Sequence, residues 1–142
     1  MITIEFLRAG KAIFTVENAQ GQHFTFRVKT GKDKYARPGS PDIFFVGLLT
    51  GRDNLKDYTC IGRLMDDNTF QISRAAAVTG FKKPGEIFAW ALKMVLNQKD
   101  LPAGYAIRHA GHCCRCARTL TEPESLTTGI GPECRKKMGL AA

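Results

Sequence analysis

The sequence predicts an α+β protein: a mainly antiparallel sheet with one packed helix, followed by a small C-terminal zinc-knuckle module with short helices. Three observations carry this. Apolar residues alternate through much of the first half of the chain, and one long segment has helical periodicity. Four of the five cysteines and two of the three histidines gather between residues 109 and 134. The natural division is a β-rich α+β domain over residues 1–100 and a metal-binding module over residues 101–142 packed on it.

Taken in order, Ile2, Ile4 and Phe6 alternate as in an opening strand. Over residues 11–18, Ala12, Phe14 and Val16 share one face. Over residues 22–30, Phe24, Phe26 and Val28 share a face, with His23, Thr25, Arg27 and Lys29 on the other. The Asn- and Gly-containing stretch between these runs makes them a hairpin. Residues 31–42 are polar and rich in Gly and Pro, as in an exposed loop. Residues 43–49 are continuously apolar, which predicts a central strand covered on both faces. Residues 58–65 and 69–74 form a second hairpin around Asp66, Asp67 and Asn68. Cys60, within an apolar strand, reads as a small buried hydrophobe. The helix is predicted over 83–99. Pro84 and Glu86 suit its first turn. Ile87, Trp90, Ala91, Met94 and Val95 recur on one side, with Phe88, Leu92 and Leu96 widening the apolar arc, so the helix packs across the sheet.

The chain has 142 residues, 44% of them hydrophobic, and is long enough to fold around its own core. Its 21 Lys and Arg against 13 Asp and Glu give a net charge of +8, which favours polyanionic partners, DNA or RNA first. The excess is spread along the chain. No apolar stretch approaches the ~18–20 residues of a membrane span. Charges interrupt the first ten residues, where a signal peptide needs an apolar segment. A cytoplasmic, reducing setting without a membrane partner is therefore expected, and disulfides are disfavoured there.

The cysteines then point to a metal. Cys113 and Cys116 have C-x2-C spacing, which lets the backbone curl so that two thiolates meet one ion while amides donate to the sulfurs. Cys134 follows after a short insert, and this combination is a zinc pattern. Pro132 suits the first turn of a helix that presents Cys134 near its amide-rich end, where a thiolate is stabilised. Gly129 and Gly131 let the chain turn back to the knuckle. One structural zinc wants four ligands. His109 ranks first for the fourth, His112 second and Cys114 third, because the last two adjoin Cys113 directly. Thr121 and Glu124 have capping-box spacing, so a short helix begins near Pro123. The module's apolar content is small, chiefly Leu120, Leu126, Ile130 and Met138. Metal binding worth about 10–16 kcal/mol, as in zinc-finger peptides, outweighs what those side chains supply.

The string from His109 through Cys113, Cys116, Arg118, Leu120-Thr121 and Pro123-Glu124-Ser125 to Gly129–Cys134 resembles an uncharacterised zinc-binding domain family of bacteriophage and actinobacterial proteins. That family's signature joins a C-x2-C knuckle, a leucine–threonine pair, a P-E-S step and a G-x-G-P-x-C close. His109 falls where members with an H-x-G-x-C start carry histidine. Ala117 stands where many members have glycine, and Cys114 is additional. A looser similarity covers the upstream stretch Leu48–Gly62. The resemblance implies a zinc module and a phage or mobile-element origin, and it supplies no activity.

Function is weighed on charge and on what is missing. Arg108, Arg115, Arg118, Arg135, Lys136 and Lys137 surround the ligands in sequence. Arg27 and Lys29 on the hairpin, with Lys32, Lys34 and Arg37 beyond it, extend a phosphate-contacting footprint. This predicts a non-enzymatic nucleic-acid-binding protein of weak sequence preference. Along the chain, aromatic and basic residues do not interleave as in single-strand stacking platforms. The alternative is a protein-interaction module that inhibits or redirects a host protein. Glu122, Glu124 and Glu133 lie near the ligands. However, an H-x-E deaminase pair, a phosphate loop and a nucleophile elbow are all missing, so catalysis is not expected.

Overall fold

The computed structural model describes residues 2–31, 43–53, 55–121 and 123–140. Lys32, Lys34 and Arg37 of the expected loop, and Glu122, lie outside the described residues. The fold is α+β, built on a six-stranded antiparallel sheet.

The chain opens with a helical turn, α1 (Ile4–Leu7), where the sequence predicts a strand. Ile2 and Phe6 lie four residues apart, so they fit one side of a helix as well as one face of a strand. The Thr3 hydroxyl decides the matter by accepting the Phe6 N–H at 3.3 Å as an N-cap. Phe6 and Leu7 are both buried as a result.

Five strands follow as a meander: β1 (Lys11–Glu17), β2 (His23–Gly31), β3 (Ile43–Leu49), β4 (Tyr58–Leu64) and β5 (Phe70–Ile72). Both predicted hairpins are present. A short helix, α2 (Arg74–Val78), is capped by Ser73, whose hydroxyl accepts from the Ala76 N–H at 3.0 Å. The long predicted helix is α3 (Lys82–Asn97), ended by Gln98 in the left-handed conformation. A sixth strand, β6 (Ala106–His109), then returns to lie beside β1, giving the order β5-β4-β3-β2-β1-β6. Two short helices, α4 (Pro123–Thr128) and α5 (Pro132–Lys137), complete the chain.

The core lies between the sheet and α3. Phe88 is fully buried and meets Phe14, Phe26 and Phe70 with ring centroids 6.1, 5.5 and 4.7 Å away. Burial of one such side chain is worth roughly 1.5–3 kcal/mol, so this aromatic cluster fixes the helix on the sheet. Trp90 sits at the margin of that core, half-buried against the Tyr105 ring at 5.3 Å.

Two expectations about burial are corrected. β3 is central, yet it is covered on one face only: Phe44, Val46 and Leu48 are buried, whereas Phe45 is 44% exposed. Cys60 is exposed rather than a buried hydrophobe. A β-bulge explains the second. Gly47 pairs with Cys60 and Val46 with Gly62, leaving Ile61 as the extra residue. That extra residue turns into the core, fully buried, while Cys60 stays on the outer face.

β6 begins only a few residues after residue 100 and is already a strand of the sheet, so the C-terminal part is joined to the sheet by backbone pairing. Its residues pair antiparallel with β1, from Glu17 opposite Ala106 to Phe14 opposite His109. The edge contact continues past the strand. Ala110 N donates to the Ile13 carbonyl at 3.1 Å, and Lys11 N donates to the Cys114 carbonyl at 2.7 Å.

Candidate metal centre

Three of the cysteines predicted as ligands come together. The sulfurs of Cys113, Cys116 and Cys134 lie within 4.8 Å of one another. Cys113 and Cys116 are presented by a tight turn in which Ala117 N donates to the Cys113 carbonyl at 2.9 Å. Cys134 sits in α5, where Gly131 is the N-cap and Pro132 the first helical residue, as the sequence predicts. Zn–S bonds of about 2.3 Å place tetrahedrally arranged sulfurs about 3.8 Å apart, so small side-chain rotations suffice to close this trio on an ion.

The surroundings suit thiolates. Gly131 N donates to Cys113 Sγ at 3.2 Å and Arg115 N at 3.5 Å. Burial pushes the Cys113 thiol up, but these amides and that of Cys116 outweigh it and hold the group at about 7, well below an ordinary thiol. Cys134 is raised, first by burial and further by the neighbouring Cys113 and Cys116. The Arg115 guanidinium, 3.8 Å from its sulfur, pulls the other way. Three thiols this close cannot all ionise without a compensating cation. A metal ion would supply that charge, and the donor set fits a soft or borderline divalent cation. The three cysteines line a cavity of about 540 Å³ together with Ser125, whose buried Oγ has no hydrogen-bond partner among the described residues.

The structure brings no fourth residue into the trio among the described residues. His109, ranked first for that role, is engaged elsewhere. Its Nδ1 accepts from Gly111 N at 3.0 Å, so its Nε2 carries the proton and donates to the Leu126 carbonyl. The imidazole thus ties β6 to the end of α4. Cys114 is fully buried in the core cluster, and burial first, then the neighbouring thiols, pushes it up to about 12. It behaves as a packing residue. His112 pairs with Thr119 in an isolated β-bridge, and its buried Nδ1 has no partner among the described residues.

The backbone of the knuckle carries one local strain. Ala117 has φ +65°, the left-handed region that costs an L-residue roughly 1–2 kcal/mol. Ala117→Gly is therefore expected to stabilise the knuckle by about 1 kcal/mol, after allowing for the greater chain entropy of glycine. A raised midpoint in a zinc-competition titration against a chromophoric chelator checks this. An unchanged or weaker affinity contradicts it.

The basic residues fall into two groups. Arg115 binds the Cys134 sulfur, Arg108 pairs with Glu17 at 3.2 Å, and Arg135 pairs with Glu124 at 3.2 Å. Arg27 stacks over Tyr58 at 4.6 Å and donates to the Leu55 carbonyl. No side-chain hydrogen bond or ion pair engages Arg118, Lys136, Lys137 or Lys29 among the described residues. Sequence order alone does not make this distinction, because every acidic or aromatic partner comes from a different element.

These features define a protein with an α+β sheet and a three-thiol candidate metal centre at the end of its edge strand. Residues 106–139 match the sequence model of a family of unknown function, DUF6011, and are similar to it over that segment. No curated protein and no solved structure matches the chain. No helix among the described residues is long and apolar enough to cross a membrane.

Proposed function

We propose that this is a non-enzymatic protein in which one structural zinc, held by Cys113, Cys116 and Cys134, orders a surface that binds nucleic acid through phosphates. The observation that carries this reading is the cavity over the thiols. Arg115, Arg118 and Lys137 line it together with the hydroxyl residues Thr119 and Thr121, against the carboxylate of Glu133. Guanidinium, ammonium and hydroxyl groups on one concave wall are a phosphate-contacting set. The net charge of +8 acts in the same direction. The zinc offsets two of the three thiolate charges, which lessens their repulsion of the ligand's backbone. With four cations in the footprint whose side chains have no partner among the described residues (Arg118, Lys136, Lys137 and Lys29), contact is made to phosphates rather than base edges, and sequence preference is weak.

The test is fluorescence anisotropy of labelled single-stranded and duplex oligonucleotides across a salt series. Four phosphate contacts at about 0.7 counterions each give a slope of about −3 for log affinity against log salt. Absence of binding at low salt, or an affinity indifferent to salt, overturns the reading. Metal analysis of His109→Ala and His112→Ala assigns the fourth position. Zinc is expected to survive the first change, since the imidazole is committed to Gly111 and Leu126. Loss of zinc in the second would make His112 the ligand, its free Nδ1 being next in the chain to Cys113.

A further inference from the structure

The sheet has two unequal faces. Ala12, Phe14, Val16, Phe26, Val28 and Phe44 point into the core beneath α3. α1 lies on that same side, since Arg8 sits over the Phe44 ring at 4.7 Å. Strand alternation sends Lys11, Arg27, Lys29, Phe45, Arg63 and Arg108 to the opposite face. Lys11, Arg27, Lys29, Arg63 and Arg108 are the Lys and Arg among the described residues of the six strands, and Glu17, paired with Arg108, is the one carboxylate.

The register builds a specific pattern on that face. Phe45 lies between Lys29 on β2 and Arg63 on β4. Gly47, two residues on, lies between Arg27 and Cys60. Both aromatic side chains rest on glycines. A methyl group at Gly31 would run into the Phe45 ring, and one at Gly47 would meet Tyr58 Cβ at 2.9 Å. Phe45 is thus 44% exposed as it lies against Gly31, with Lys29 and Arg63 as its neighbours on the flanking strands. Beside it the Arg27 guanidinium plane covers Tyr58. An exposed phenyl face, a planar guanidinium and flanking cations are the elements of a base-stacking platform. They come from β2, β3 and β4, so the interleaving missing from the linear sequence is assembled across strands.

We infer that the uncovered face of the sheet binds single-stranded nucleic acid, stacking a base on Phe45 while Lys29, Arg63 and Lys11 hold the adjoining phosphates. This rests on the nucleic-acid reading above and deepens it. A duplex keeps its base faces stacked inside and offers this surface nothing to stack on, whereas a single strand offers both bases and backbone. Charge complementarity selects the occupant: with Glu17 already paired, every other charged group on these strands is cationic.

The experiment uses the full zinc-loaded chain and labelled twenty-nucleotide oligo-dT, oligo-U and a duplex of the same length, read by anisotropy. Single strands are expected to bind more tightly than the duplex. Phe45→Ala is expected to weaken single-strand binding about tenfold or more. Phe45→Tyr should keep the affinity, because it keeps the ring. Lys29→Ala with Arg63→Ala should lower both affinity and salt slope. Circular dichroism and zinc content should be unchanged in all of these, since Lys29 and Arg63 are exposed and Phe45 lies outside the core. The inference is overturned if Phe45→Ala and the double variant bind as the parent does, or if the duplex binds as well as the single strand. In those cases the Arg118, Lys136 and Lys137 triple alanine variant would carry the loss, and the broader reading stands. If the parent binds no probe, both fall.

Discussion

Cys116→Ser is expected to reduce bound zinc from one ion per chain to almost none and to unfold the C-terminal module while the sheet stays folded. Cys116 is the exposed member of the trio, so the change removes a ligand without disturbing packing. On the proposed zinc site the consequence is large, because the metal would contribute what the module's side chains lack. Structural zinc in small modules is worth about 10–16 kcal/mol. Leu120, Ile130 and the buried thiols cannot match that by burial alone at about 25 cal/mol per Å². Hydrogen exchange should therefore show fast amides across the cysteine turn, α4 and α5, with protection retained in β2, β3 and β4. Cys114→Ser is the control. Its thiol is a buried core group outside the trio, so it should cost stability while leaving zinc stoichiometric. Retention of zinc in Cys116→Ser, or its loss in Cys114→Ser alone, would reject the assigned ligands.

The second large effect is expected at Gly129. Gly129→Ala should destabilise the protein by roughly 2–5 kcal/mol, combining left-handed strain of about 1–2 with overpacking of about 1–3. Gly129 has φ +75°, and a Cβ there would lie 2.5 Å from Phe6 Cε2 and 3.3 Å from His109 Cγ. Neither neighbour can yield easily. Phe6 is fully buried, and His109 is held by Gly111 and Leu126. Denaturant unfolding monitored by circular dichroism measures the loss. A change under 1 kcal/mol would mean that Phe6 moves aside, and would sink the packing argument.

The residues of the centre that were legible in the sequence are those whose geometry is local. Cys113 and Cys116 are set by one turn, and Cys134 by a proline-started helix. The α3 helix was legible for a similar reason, since a single long apolar arc fixes it. His109 was not legible, because what decides its role is a carbonyl in α4 and an amide in the following turn. The exposure of Cys60 depends on a bulge between two strands, and no local pattern marks it. α1 was misread because a six-residue window fits both periods. β6 is four residues long and exists through its partner β1. Ala117 carried a usable hint: the resemblance places glycine there, and the backbone is left-handed.

The junction along β1 has a further consequence. A sheet edge offers unpaired amides and carbonyls to any neighbouring chain. Here that edge is closed by β6, by Ala110 on the Ile13 carbonyl and by the Cys114 carbonyl on Lys11 N. The segment doing this runs directly into the cysteine turn. On the proposed zinc site, metal depletion would therefore threaten solubility as well as the module's shape, because loosening of the cysteine turn would free the Ala110 and Cys114 contacts that extend the cover of β1 past β6.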